Sequence, residues 1–315
     1  MQRVLITGIA GFVGSHVAER LRSDGYEVHG FVRKIPSEIG NLSATKTAFH
    51  RGDLADEDAV ERALVQAQPE AVLHFAERLP VDGADPESFR AGPVTGTDAL
   101  LRTMERVSAV PFVYCSSAAV YGLPDRIPVD EDAPLRPVTP YGEGKTRSET
   151  MVKRYASTGR SAVILRPGNL LGPRQRSGLA VSDFARQVAE IESGRGPAVL
   201  RHGRLDIERD FLDVRDMARA CASILRGLQP ALSVFNVGSG RAVALSEIVR
   251  ILRAHARREI RLESDESRVR PGELQSIALD ASRLRRATGW SAAIPLERSV
   301  IDTLDYWRSS LVPLK

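Results

Sequence analysis

Cysteine is nearly absent from this chain. Cys115 and Cys221 are the only two in 315 residues. One lies in a run that reads as a buried strand and the other in a run that reads as a helix, which argues against a disulfide scaffold or a zinc cluster. Aromatic residues make up 5%, and no basic run is interleaved with them. The formal charge of +4, from 44 basic and 40 acidic residues, therefore marks no nucleic-acid surface; a modest basic excess suits an anionic small substrate. No apolar stretch approaches the roughly 20 residues of a membrane span. The first residues run straight into a strand with no signal peptide, so the expectation is a cytoplasmic protein with no membrane contact and no metal. The remainder is an ordinary globular balance, 43% hydrophobic and 27% charged, in a chain long enough for one large core or two lobes.

What is present begins with glycine. Residues 3–6 read as a buried strand, and residues 15–21 as a helix with Val17, Ala18 and Leu21 at helical spacing. Between them runs Thr7-Gly8-Ile9-Ala10-Gly11-Phe12-Val13-Gly14. Strand, glycine-rich turn and helix together form the setting in which such a turn binds a dinucleotide. Gly8 and Gly11 leave no Cβ where a pyrophosphate approaches the backbone, and Gly14 lets helix and strand pack closely. The helix N-terminus offers free N–H groups and a positive dipole end. Gly8, Gly11, Phe12, Val13 and Gly14 are the first cofactor-binding candidates.

A second strand, residues 27–32, ends at Val32 and is followed by Arg33 and Lys34. An acid at that point would hold ribose hydroxyls; two cations instead pair with a 2′-phosphate. This favours NADP(H), with NAD(H) possible. A third strand, near residues 49–51, leads to Asp53 and Leu54, placed to meet an adenine ring, although Asp53 serves equally as the cap of a helix beginning near Asp56. Residues 70–76 form the next buried strand, with His74 read as a partnered core histidine. A helix is predicted over 97–108, a strand over 111–117 running into Ser116-Ser117, and a helix opening at Pro140 and running to about Ser157.

Tyr141 and Lys145 lie four apart, on one helical face. A phenol ordinarily ionises near pH 10, and an ammonium beside it favours the phenolate. Tyr141 is then placed to pass a proton to or from a substrate oxygen, and Lys145 to hold the nicotinamide ribose. Ser117, at the C-terminal end of a parallel strand, is placed to hydrogen-bond the same oxygen; sites of open α/β sheets sit at that edge. Ser117, Tyr141 and Lys145 are the catalytic candidates.

Further on, strands are expected over 161–167, 207–214 and 234–238 and a helix over 183–193. The fold class is α/β: a Rossmann-type doubly wound parallel sheet with a smaller C-terminal α/β substrate-binding lobe. Residues 1–166 form the dinucleotide-binding domain, with 207–238 returning to it, and 167–315 form mainly the substrate lobe.

These motifs, in this order, resemble the extended short-chain dehydrogenase/reductase family of nucleotide-sugar epimerases, dehydratases and 4-keto reductases. The likeness spans nearly the whole chain: Thr7 to Gly14, the Ser117, Tyr141 and Lys145 set, Arg-Pro-x-Asn-x-x-Gly-Pro from Arg166 to Pro173, Arg-Asp-Phe from Arg209 to Phe211, and Arg-Pro-x-Glu from Arg270 to Glu273. It implies that Asn169 contacts a nucleotide-diphosphate sugar, that Arg209 and Arg270 reach its diphosphate, and that the protein is a homodimer built on helices near 97–108 and 141–157. Dehydratases of the family carry an acidic or Ser-Glu pair after the serine, where this chain has Ala118 and Ala119. The C-terminal part is most similar to GDP-4-keto-6-deoxymannose reductases, while residues 116–122 are similar to 4-epimerases. Two positions depart from the family pattern. Glu77 and Arg78 follow Ala76 where alanine is usual, as added substrate contacts, an added acid/base, or an exposed ion pair. An asparagine expected near Pro93 is missing. The expected activity is NADP(H)-dependent reduction of a 4-keto-6-deoxy sugar nucleotide. A 4-epimerase is the alternative, and a cofactor-sensing protein without catalysis is a remoter one.

Overall fold

The computed structural model describes residues 2–35, 38–39, 42–43, 47–77, 85–227, 231–269 and 274–311. In chain order these form β1 (Arg3–Thr7), α1 (Phe12–Ser23), β2 (Glu27–Val32), β3 (Glu38–Ile39), β4 (Leu42–Ser43), β5 (Ala48–Arg51), α2 (Glu57–Ala67), β6 (Ala71–His74), α3 (Pro86–Val107) and β7 (Phe112–Cys115). A 3₁₀ turn (Ala118–Val120) precedes α4 (Pro140–Ser157), β8 (Ala162–Pro167), β9 (Asn169–Leu171), α5 (Ala180–Glu192), β10 (Val199–His202) and β11 (Glu208–Asp213). The chain then runs through α6 (Val214–Arg226), β12 (Leu232–Val237), β13 (Ala242–Ala244), α7 (Leu245–Ala254), β14 (Arg261–Ser264), α8 (Ser282–Thr288) and α9 (Leu296–Ser310).

Seven strands make one parallel sheet in the order β12-β8-β7-β6-β1-β2-β5. The order reverses at β1 and β6, so a crevice opens outside their C-terminal ends, the place where α/β sheets bind ligands. Both faces are covered, and the strands show why. Val4, Ile6, Leu73, Val113, Val163 and Leu165 pack on one side with α1 and α6. Leu5, Val72, Phe112, Tyr114, Ala162 and Ile164 pack on the other with α2, α3 and α4. The two-residue alternation of a strand sends apolar side chains to both faces, hence the continuous apolar runs of a parallel sheet.

The expected helix over 97–108 begins eleven residues earlier than that start. Asp85 caps it by accepting from the amides of Glu87 and Ser88, and Pro86 stands at its first position, where a missing N–H costs nothing. Pro93 lies inside the helix and is buried; its carbonyl accepts from Thr97 Oγ1 at 2.7 Å and from Ser148 Oγ of α4 at 3.0 Å. Packing against α4 overrides the local penalty of a helical proline. Similarly, α5 begins at Ala180 and not at Asp183.

Of residues 207–238, α6 packs on α1 and β12 extends the central sheet, whereas β11 pairs with β9 and β13 in a separate three-stranded sheet. A further core gathers Phe184, Val188, Phe211, Ile248, Leu252, Val300 and Leu304 from α5, β11, α7 and α9. The two sides are joined by buried polar groups. The Asp210 carboxylate accepts from the Ser239 amide and hydroxyl, both at 2.7 Å, the Gly240 amide at 3.0 Å and the Leu279 amide at 2.9 Å. Asn236 Nδ2 donates to the Val129 and Asp280 carbonyls. No described helix is long and apolar enough to cross a membrane.

Candidate active site

The turn after β1 is tight because its glycines leave no alternative. Gly8 has φ +71°, and a Cβ there would stand 2.6 Å from the Ala76 amide nitrogen. A Cβ on Gly14 would lie 2.2 Å from the Gly8 carbonyl oxygen. Gly11 caps α1 with no side-chain hydrogen bond, and the first turn of the helix holds no acid. The amides there stay available to an anion, with Phe12 and Val13 half-buried behind them. This is a cradle that fits a dinucleotide pyrophosphate.

Arg33 and Lys34, just past β2, are both exposed and make no ion pair among the described residues. Asp53 and Leu54 follow β5. Asp53 accepts from the Ala55 amide at 3.0 Å, and the cap of α2 is Asp56, which accepts from the Ala59 amide at 3.1 Å. The capping alternative for Asp53 is thus corrected: the residue one helical turn before Val60 takes the job, leaving Asp53 exposed. His74 is buried between Thr7 Oγ1 at 2.6 Å and Thr97 Oγ1 at 3.0 Å. Burial, with the Lys145 charge adding to it, pushes its pKa down to about 3, as suits a neutral core imidazole.

α4 begins at the site. Thr139 caps it by accepting from the Gly142 amide at 3.1 Å, and Pro140 opens it. This places Tyr141 in the first turn and Lys145 one turn later. The Lys145 ammonium donates to the Cys115 carbonyl at the end of β7 at 2.7 Å. It also lies 3.2 Å from Glu77 Oε2, 5.0 Å from the Tyr114 ring centroid and 5.7 Å from that of Tyr141. The Tyr141 hydroxyl donates to the same Glu77 oxygen at 3.4 Å, and Glu77 Oε1 is buried with no hydrogen-bond partner among the described residues. Glu77 is therefore no exposed ion pair, since its side chain is only 13% accessible. Arg78 and Arg270 lie outside the described residues.

Glu77 also corrects the electrostatics. Lys145 alone would favour the phenolate. Burial first, and then the Glu77 charge, hold the Tyr141 phenol well above its ordinary pKa, with Lys145 pulling back only in part. Burial, the largest single influence, disfavours the ammonium, but Glu77 first and then Tyr114, Tyr141 and Cys115 together outweigh it, holding the Lys145 pKa well above its ordinary value. In this arrangement the protonated Tyr141 hydroxyl donates a hydrogen bond to Glu77 beside the Glu77–Lys145 ion pair.

Ser117 lies two residues past β7, and its Oγ accepts from the Ala119 amide at 3.2 Å. Beneath it is a buried network that motif reading missed. Ser116 Oγ donates to Glu149 at 2.6 Å; Arg166 grips Glu149 through two hydrogen bonds, at 2.9 and 2.7 Å, and donates to the Tyr121 hydroxyl at 3.0 Å; Tyr121 donates to Asn236 at 2.6 Å. The available signal was an arginine inside an apolar strand, which requires a buried partner. Asn169 is exposed at the start of β9, opposite Phe211 of β11. Arg209, on β11, is partly buried and donates to the carbonyls of Glu208 and Leu274.

A family model described as GDP-mannose 4,6 dehydratase matches residues 5–303. This chain belongs to that family. It is an enzyme of the extended short-chain dehydrogenase/reductase type, among nucleotide-sugar-modifying reductases and epimerases. A protein of Pseudomonas aeruginosa named GDP-6-deoxy-D-mannose reductase is 30% identical over 98% of both chains. The structure of RMD from P. aeruginosa complexed with NADPH superposes with a TM-score of 0.85 at 29% identity, covering 99% of this chain and 100% of that one. A UDP-glucose-4-epimerase from Stenotrophomonas maltophila, with bound NAD and formylated UDP-arabinopyranose, gives 0.87 at 27% identity over 98% and 99%. The family model carries a dehydratase's description, but at the 3₁₀ turn this chain places Ala118 and Ala119, neither of which can transfer a proton.

Proposed function

We propose that this protein is an NADP(H)-dependent reductase acting at C4 of a 4-keto-6-deoxy sugar carried on a nucleoside diphosphate. The observation that supports it most is the Tyr141 phenol held as a neutral donor beside Lys145, at the strand ends that face the glycine turn. Gly8, Gly11, Phe12, Val13 and Gly14 would cradle the pyrophosphate, Asp53 and Leu54 the adenine, Arg33 and Lys34 a 2′-phosphate, and Lys145 the nicotinamide ribose. The nicotinamide cofactor, when bound, supplies the hydride. Tyr141 donates its proton to the oxygen at C4, and Ser117 hydrogen-bonds that oxygen as its charge develops. Asn169, Arg209, Arg270, Glu77 and Arg78 would contact the sugar nucleotide, whose diphosphate calls for guanidinium groups. The name of the P. aeruginosa relative and the NADPH in the RMD structure point the same way. A pair of helices, α3 and α4, packed lengthwise against each other supports a homodimer that closes a four-helix bundle; light scattering at the mass of one chain would refute it.

The epimerase neighbour carrying NAD supports a second reading, a 4-epimerase that takes hydride and returns it. Purified protein is to be assayed with 4-keto-6-deoxy sugar nucleotides and each reduced cofactor. One NADPH consumed per alcohol formed is the expected result, with Tyr141→Phe losing at least about 100-fold in kcat while still binding cofactor. Tightly retained NAD, with inversion of a sugar nucleotide and no net cofactor use, would establish the epimerase instead.

A further inference from the structure

Glu77 stands three residues past β6, at the strand edge where the order of the sheet reverses. Its Oε2 receives the Tyr141 hydroxyl at 3.4 Å and faces the Lys145 ammonium at 3.2 Å. Its Oε1 is closed off from water with no partner among the described residues. A carboxylate retained for packing alone would have both oxygens satisfied; this one is turned toward the two groups that handle the proton.

We propose that Glu77 is the residue that sets the protonation state of Tyr141, pairing with Lys145 so that the phenol stays protonated at neutral pH and the phenolate forms only in alkali. This rests on the reading of Tyr141 as the proton-transferring group. The charges around the phenol make the case. From α4 comes the ammonium of Lys145, from the chain after β6 the carboxylate of Glu77, and from β7 the Tyr114 phenol and the Cys115 thiol. Tyr114 and Cys115 stay neutral, pushed up mainly by burial to about 12 and about 11, and so supply no charge of either sign. Lys145 does supply one, and Glu77 cancels it. A Tyr141 phenolate would be a second anion in hydrogen-bond reach of the first, a pairing that ionisable groups avoid.

The chemistry balances in the reductive direction. Hydride from the reduced cofactor forms the C–H bond at C4, the Tyr141 O–H bond breaks, and its proton forms the new hydroxyl. The phenolate left beside Glu77 is a strong base and recovers a proton from water. In the oxidative direction the phenolate must exist first, and Glu77 opposes it. The equilibrium between free reactants is untouched, as for any catalyst; what moves is the pH at which the bound enzyme is competent.

The test is a tyrosinate absorbance titration of the whole protein with oxidised cofactor bound, in wild type, Glu77→Gln, Glu77→Ala and Glu77→Asp, each with and without Tyr141→Phe. Circular dichroism melts establish which variants fold, and Glu77→Ala stands in if Glu77→Gln does not. The phase that Tyr141→Phe removes should lie at least about one pH unit lower without the carboxylate, a tenfold change in the equilibrium. The pH profile of kcat for alcohol oxidation should move with it, and Glu77→Asp should stay near wild type. A Tyr141 phase at the same pH in Glu77→Gln and wild type, or none in Glu77→Gln below the alkaline unfolding limit, overturns the proposal. Turnover retained in Tyr141→Phe would instead remove the reading beneath it.

Discussion

Arg166 is 2% exposed, and its charge is answered by Glu149, which is fully buried. Removing one partner of such a pair strands the other charge, at a cost of about 3–5 kcal/mol. Arg166→Met should therefore lower the melting temperature by several degrees, and a Glu149→Met/Arg166→Met double variant should recover most of the loss; equal melts for the two would refute this. Neither contact was legible beforehand. The partners are 17 residues apart, one on a strand and one on a helix, and spacing rules speak only within an element. Tyr141 and Lys145 were legible because they share a helical turn, Glu77 only as an oddity of the pattern after β6. That it closes onto Lys145 depends on how β6 and α4 meet, which periodicity does not encode.

Elements were more readable than contacts. β2 falls at the residues its apolar run predicts, and β1 ends where the glycines begin. α3 was misjudged at its start because Gly92, Pro93 and Gly96 look like a break, while the stabilising partner, α4, lies elsewhere in the chain. The joint between β1 and α1 carries the sharpest prediction at this scale. Gly14→Ala puts a methyl 2.2 Å from a backbone carbonyl, and neither side is a flexible chain end that can yield. α1 must shift away from the turn. About 1–3 kcal/mol of stability should go, with at least a tenfold loss of cofactor affinity by titration calorimetry; unchanged affinity would show that the helix N-terminus does not seat the pyrophosphate.

For the molecule as a whole, acid sensitivity follows from two buried histidines. Burial pushes His16 down to about 4, and it pushes His74 to about 3. Unfolded, both titrate near 6.5. Below that pH the unfolded chain binds protons that the folded chain refuses, so stability falls as pH falls, by about 1.4 kcal/mol per pH unit for each histidine. Melting temperature should be level above pH 7 and decline from about 6.5 toward 4, before the carboxylates titrate; a level trace through that window would contradict the buried, neutral imidazoles. Asp210 and Asn236 have a different consequence at this scale. They tie β11 of the three-stranded sheet and β12 of the central sheet to the chain around Leu279 and Asp280. On the function proposed above, a sugar nucleotide would meet two sheets already joined to one another by this joint, and discrimination among sugars would fall to side chains outside it.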